Sequence, residues 1–301
     1  MKQLILPFLL LFLLVELDSA QRSDAVKNYD DLAYAKAIDQ LERVVRQNPR
    51  DFKAHEMLAV SYRLNNDLKK AEQAYKWIYD TGLANADHYF HYAHLLMENG
   101  KNEEARKVLQ KFSNHSPKDI RWKNLLKGLD EKTKNEDEIF TVSKCSLNSG
   151  DADFAPVIFN EGIAFVSNRL LMTLMDKQDA WTGKEYFRLY YAKGEKAIFD
   201  NAHAMQSELE QVRNDGPFCF NRDQNVMYWT ANDMSPRREG EKTKVRKLRI
   251  YISDWKDGRW EYRSEFAWNS EKYSCAHPAL SLDGTTIYFS SDMPGGRGGM
   301  D

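Results

Sequence analysis

Cysteine is scarce in this 301-residue chain: Cys145, Cys219 and Cys275 are its three members, and no Cys-x-x-Cys occurs among them. That removes the usual spacing of a zinc or dithiol redox centre. Net charge is also small. The 43 Lys and Arg against 45 Asp and Glu leave a formal charge of -2, with no bulk attraction to nucleic acid or anionic lipid. After residue 20 no apolar run is long enough to cross a bilayer as a helix. The glycine run Gly295-Gly296-Arg297-Gly298-Gly299 lacks the following Lys-Ser/Thr of a phosphate-binding loop and reads as a turn.

What is present begins with an export signal over residues 1–20. Lys2 precedes the almost unbroken apolar run from Leu4 to Val15, which Glu16 and Asp18 end, and Ser19-Ala20 supplies small residues for cleavage. The expectation is a mature chain starting near Gln21 outside the cytoplasm, with an uncleaved anchor as the alternative. No Cys follows the run, which argues against a lipid anchor. An oxidising compartment permits a bridge, and Cys219 and Cys275 stand near matching points of neighbouring repeats. Small buried hydrophobes are the equal alternative for both.

Two periods run through the chain. Ala25, Ala59 and Ala93 are each 34 residues apart, as are Ala37, Ala71 and Ala105, and Leu41, Tyr75 and Leu109. Pro156, Pro217 and Pro278 are each 61 residues apart. Residues 24–132 read as helices with short joints: His55, Leu58, Ala59 and Tyr62 share one face, and Ala71, Ala74, Tyr75 and Ile78 another. Asn65-Asn66-Asp67 and Asn99-Gly100 mark turns between paired helices, and Pro49 and Pro117 close units. The alanines are expected where helices cross closely.

This pattern resembles the tetratricopeptide repeat, over roughly residues 24–118. The first unit departs from it, with Asn28 in place of an aromatic or leucine and indistinct turn residues; it reads as a capping unit, and Arg121 to Lys132 as a final solvating helix. The resemblance implies a groove that holds protein partners. Of His88, His91 and His94, the second and third could share a helix face, while the first and third do not; a polar helix surface is the preferred reading over a metal site.

Residues 133–144 read as a linker, with the charged stretch ending at Glu138, and 145–301 as strands. Three passages, starting near Pro156, Pro217 and Pro278, each show a strand, a tight turn and a second strand rich in β-branched and aromatic residues. The turns are assigned to Glu161-Gly162, Asp223-Gln224-Asn225 and Asp283-Gly284, the last with positive φ expected at both central positions. Outer strands follow at Phe187 to Tyr191, Arg249 to Ser253 and Trp260 to Phe266, with a turn at Lys256-Asp257-Gly258. Such units must stack on one another to bury both faces, and radial stacking gives a propeller.

The stretch from His277 to Asp301 resembles the WD40-like propeller repeat through His277, Pro278, Asp283, Gly284, Ser291, Asp292, Gly295 and Gly296, with Leu282 where proline is usual. The second passage matches well and the first loosely. The whole then resembles secreted Bacteroidetes proteins that join tetratricopeptide repeats and this propeller to an outer-membrane-protein-A-like domain, some of them in type IX secretion and gliding. The fold class expected is therefore α+β multidomain, an N-terminal α-solenoid followed by an incomplete β-propeller. Three hairpin units do not close a ring, and a chain ending at Asp301 is expected to be a fragment or a truncated gene product.

Catalysis finds little footing. His277 with Ser281 and Asp283 lacks an activated serine: Ser281 is expected in a strand, Asp283 in the turn, and His277 as a structural hydrogen-bonding residue. Asp292 and Asp301 flank the glycine loop without the ligand ladder of a calcium site. Arg237, Arg238, Lys242, Lys244, Arg246, Lys247 and Arg249 form a basic segment, interrupted by Glu239 and Glu241, that reads as a solvated loop between blades, or else as a docking patch for an acidic partner.

The expectation is a non-enzymatic interaction scaffold of the periplasm or outer membrane, without cofactor or metal. Its partners would be proteins in the helical groove, including outer-membrane or secretion-complex components. Nucleic acid is not expected, and peptidoglycan only through a missing C-terminal domain. The alternatives are an exported hydrolase gated by the propeller and a sugar- or wall-binding module. The last expects Trp181, Trp229, Trp255 and Trp268 around the propeller mouth, where inter-blade packing is the plainer role.

Overall fold

The computed structural model describes residues 22–134, 142–169, 178–196, 198–205, 213–233 and 246–300. The expected signal at 1–20, most of the linker, Arg237, Arg238, Lys242 and Lys244 of the basic segment, and Asp301 lie outside them. The chain divides into two compact units: the helices together with Ala180–Gly183, and the sheets, comprising Val142–Asp179 and Lys184 onward.

Unit 1 holds α1 (residues 22–30), α2 (Tyr34–Gln47), α3 (Phe52–Leu64), α4 (Leu68–Asp80), α5 (Ala86–Glu98), α6 (Asn102–His115) and α7 (Ile120–Lys134). From α2 onward each helix packs on the next. Ala25, Ala37, Ala59, Ala71, Ala93 and Ala105 have no exposed surface, and Leu41, Tyr75 and Leu109 are buried beside them. A methyl group at these points lets neighbouring backbones approach; a longer side chain would push them apart.

The 34-residue period is also written in the backbone. Leu32, Asn66 and Gly100 adopt left-handed conformations with φ of 57°, 60° and 75°. The next residues, Ala33, Asp67 and Lys101, donate their N–H to the carbonyls of Asn28, Tyr62 and Leu96. The first unit thus makes the same turn as the others, with a leucine in a conformation that favours Gly or Asn. Helix starts repeat too. Asp51 and Asn85 cap α3 and α5 by accepting from Ala54 and His88 N–H, and Asp119 accepts from Arg121 N–H at the head of α7. So α7 begins as a first helix of another unit does.

Unit 2 is entirely antiparallel. Its strands are β1 (Asp153–Phe159), β2 (Gly162–Ser167), β3 (Arg188–Glu195), β4 (Ile198–Phe199), β5 (His203–Ala204), β6 (Asp215–Phe220), β7 (Val226–Asn232), β8 (Leu248–Lys256), β9 (Arg259–Glu265), β10 (Cys275–Leu280) and β11 (Ile287–Ser291). They form one sheet in the order β1-β2-β3-β4 with β5 also on β3, a second in the order β6-β7-β8-β9, and a β10-β11 pair. A closed ring is not formed among the described residues.

The prolines mark one recurring irregularity. In β1, β6 and β10 the register slips by one residue between Phe154 and Val157, Asp215 and Phe218, and Ala276 and Ala279. Each bulge contains the dipeptide ending in Pro156, Pro217 or Pro278, where a missing N–H costs the ladder nothing. Ala155 and His277, which precede two of these prolines, have φ of 51° and 56°.

The turn at Asp223-Gln224-Asn225 lies where the sequence places it, with Gln224 at φ 55°, while the other two hairpin turns differ in detail. The first uses Asn160-Glu161, with Asn160 at φ 48°, while Gly162 already pairs in β2. Gly162 is required there for another reason: a Cβ would lie 2.1 Å from the Ala192 carbonyl oxygen of β3. At Asp283-Gly284 positive φ falls on Gly284 alone; the turn with both residues positive is Asp257-Gly258 between β8 and β9. Ser281 is in the turn, not in the strand.

Candidate functional site

The first helices of successive units, α3, α5 and α7, carry a charged and aromatic row. Lys53, Asp87 and Arg121 recur at 34-residue spacing near the start of each helix. Arg121 Nη1 donates to Asp87 Oδ1 at 2.7 Å and Arg121 Nη2 to Asp119 Oδ2 at 2.7 Å, while the guanidinium lies 5.0 Å from the centre of the Phe90 ring. Lys53 Nζ donates to Glu56 Oε2 at 2.6 Å. The row continues through Phe90, His91 and His94, whose rings are neighbours.

His91 is half-buried beside Tyr75. Burial first, then the positive charges of Arg63 and Arg121, hold its pKa down at about 4 against an ordinary 6.5. The row therefore presents fixed charge and aromatic faces, groups that read an extended peptide.

The three histidines do not form one polar surface. His88 is buried, and its N–H and Nδ1 complete a capping box with Asn85. With Nδ1 accepting from Asn85 N–H, Nε2 carries the proton and donates to Glu56 Oε1 at 3.0 Å. No group of three or more metal-ligating side chains occurs among the described residues. Similar bonds join other neighbouring units. Glu42 accepts from Tyr62 Oη at 2.6 Å and Lys70 Nζ at 3.3 Å; Glu72 accepts from Asn99 Nδ2 at 2.7 Å and Lys101 Nζ at 2.6 Å.

The sheet residues singled out on sequence fall into structural places. His277 is exposed, and its backbone N–H, not its ring, donates to Thr230 Oγ1 at 2.9 Å. Asp283 Oδ1 accepts from Ser281 Oγ at 2.6 Å and from Thr285 N–H, so it closes the turn that Gly284 (φ 71°) makes possible. Among the described residues no hydrogen bond joins the His277 ring to Ser281 or Asp283. Ser291 Oγ donates to the Ser274 carbonyl and accepts from Met293 N–H. Asp292 Oδ1 accepts from Ser274 N–H at 2.5 Å, and Oδ2 from Lys247 Nζ at 3.5 Å. Gly295 and Gly298 take positive φ in a turn. Among the described residues Cys145, Cys219 and Cys275 form no disulfide; burial pushes the Cys219 thiol up to about 11, against a reactive role.

The basic segment is not a loop between sheets: it links β7 to β8 within one sheet. Of its described members, Lys247 pairs with Asp292, and Arg249 is buried in β8 between Asp233 and Glu265. The four tryptophans also part company. Trp229 is buried, with Nε1 donating to Ser253 Oγ and the Arg213 guanidinium over its ring. Trp255 packs on Trp260 and Phe159, joining the first two sheets. Trp268 is exposed.

Trp181 belongs to unit 1. Its ring meets Tyr34 edge-on at 4.8 Å, its Nε1 donates to the Leu64 carbonyl at 2.9 Å, and its own carbonyl accepts from Ala35 N–H at 3.1 Å. Sequence reasoning missed this place because nothing local links position 181 to a helix over a hundred residues earlier. The one available signal was Ala33 before α2, a residue whose side chain cannot cap a helix.

Comparison with known proteins points the same way as the helical period. Residues 53–119 are similar to the family model of YpiA-like C-terminal tetratricopeptide repeats. No curated protein matches the chain. The match is confined to the helices, and it supports tetratricopeptide repeats, and with them a protein-interaction role, at the N-terminal side of the chain.

Proposed function

We propose that this protein is an exported, non-enzymatic interaction scaffold of the periplasm or outer membrane. Its helical unit holds an extended segment of a partner along the row of Lys53, Asp87, Phe90, His94 and Arg121. The three sheets are successive blades of an incomplete β-propeller that serves as a second, rigid platform. An outer-membrane or secretion-complex component is the partner class that this location implies. The observation that carries the reading is the 34-residue recurrence, in turns, caps and buried alanines alike, within a region similar to tetratricopeptide repeats. The blade assignment draws support from the shared proline bulges of β1, β6 and β10.

The test compares the intact chain with one carrying Asp87→Lys and Arg121→Glu, each immobilised and exposed to solubilised cell envelope. A defined protein retained by the first and lost by the second supports the reading. Identical retention on both, or none on either, rejects the helical row as the partner site. Fractionation of cells that express the chain from Met1 tests the location separately; a cytoplasmic product rejects export.

A further inference from the structure

Helix α2 starts without help from its own sequence. Ala33 at its N-cap offers no side-chain acceptor, and its first turn holds no acidic residue. A free Ala35 N–H at that point would be costly, because Tyr34 beside it is buried. The C-terminal end of α3 has the opposite need, since its last carbonyls have no partner further along the helix. Trp181 satisfies both. Its carbonyl caps Ala35, and its indole N–H fills the Leu64 carbonyl. Gly183 then lies so close that a Cβ there would be 2.9 Å from the Ala35 Cβ, and its φ of 69° favours glycine independently.

One donor, one acceptor, an aromatic wall and a steric demand for glycine two residues later make a recognition site for an extended Trp-x-Gly segment. We propose that this site, formed by Tyr34, Ala35 and Leu64, is a second protein-binding site of unit 1, held in the resting chain by its own Ala180–Gly183. It takes partner segments of the same Trp-x-Gly chemistry by displacing Trp181. The Trp181 ring and main chain engage the site, and 37% of that residue remains exposed, so an incoming segment has a face at which to begin exchange. Self-occupancy raises the apparent dissociation constant of any competitor, because a tethered segment acts at high effective concentration. The proposal rests on the protein-interaction reading above but uses a different surface from the charged row.

The probe is a labelled peptide with the sequence of residues 178–186, titrated into the full chain and into its Trp181→Ala variant. Emptying the site should strengthen peptide binding by about tenfold or more. Adding Tyr34→Ala to that variant should abolish the gain. Absence of binding to the Trp181→Ala chain, or equal binding to both chains, overturns the proposal. A second measurement keeps the test decisive if Trp181→Ala does not fold. In the unaltered protein, excess unlabelled peptide should move the Trp181 indole N–H resonance to its solvent-exposed position, and an unmoved resonance counts against displacement. Failure of the peptide while the envelope partner is still retained removes only this inference. Success of the peptide with no envelope partner removes the charged row as a partner site instead.

Discussion

The backbone N–H of His277 donates to the Oγ1 of Thr230, 2.9 Å away, and so ties the bulge of β10 to β7 of the neighbouring sheet. The bulge leaves that N–H without a ladder partner, and Thr230 is buried. Thr230→Val keeps the shape and removes the acceptor. The expected loss is about 1–2 kcal/mol, the cost of leaving a donor unsatisfied. Urea unfolding followed by tryptophan fluorescence measures it, with Thr230→Ser as the variant that should recover most of the loss.

Leu32 carries strain that its counterparts Asn66 and Gly100 avoid. A left-handed leucine costs about 1–2 kcal/mol, and Leu32 is not part of the helical core cluster, so little packing opposes its replacement. Leu32→Asn should therefore stabilise unit 1 by about 0.5–1 kcal/mol. A rise in thermal midpoint by circular dichroism is the expected result.

Ala93 and Lys127 stand 34 residues apart, yet Ala93 is fully buried and Lys127 exposed. Ala93→Leu should overpack the crossing of α5 and cost about 1–3 kcal/mol. Lys127→Leu should change stability by no more than about 0.5 kcal/mol. Equal effects at the two sites would mean that α7 is packed as a full unit is.

His91 gives a pH dependence of definite sign. Its pKa is about 4 in the folded chain against 6.5 ordinarily, so the unfolded chain binds the proton more readily. Its contribution to stability is complete above about 6.5 and is lost as pH falls toward and through about 4. Chemical unfolding on either side of that window should show the loss, and His91→Gln should flatten it.

Much of unit 1 was legible because a solenoid repeats its demands: the same crossing needs the same small residue every 34 positions. The first turn was not, since Leu32 gives no local sign of a left-handed backbone. In unit 2 the strands, the prolines and the turns at Asp223-Gln224-Asn225, Asp257-Gly258 and Asp283-Gly284 could be read, but the exact place of the first turn could not. Gly162 looked like a turn glycine, while its cause, the Ala192 carbonyl, arrives from a strand thirty residues later. His88 looked like surface and is buried, because its partner Glu56 lies in the preceding helical repeat. The place of Trp181 is the extreme case, fixed by two backbone groups that leave no mark on side-chain patterns.

The most direct test of the scaffold account is photo-crosslinking in living cells, with a photoreactive residue placed in turn at Asp87, His94 and Arg121, and at Lys76 and Lys107 as positions outside the row. The account predicts one and the same envelope protein captured from all three row positions and not from the other two. Capture from all five alike, or from none, would contradict it.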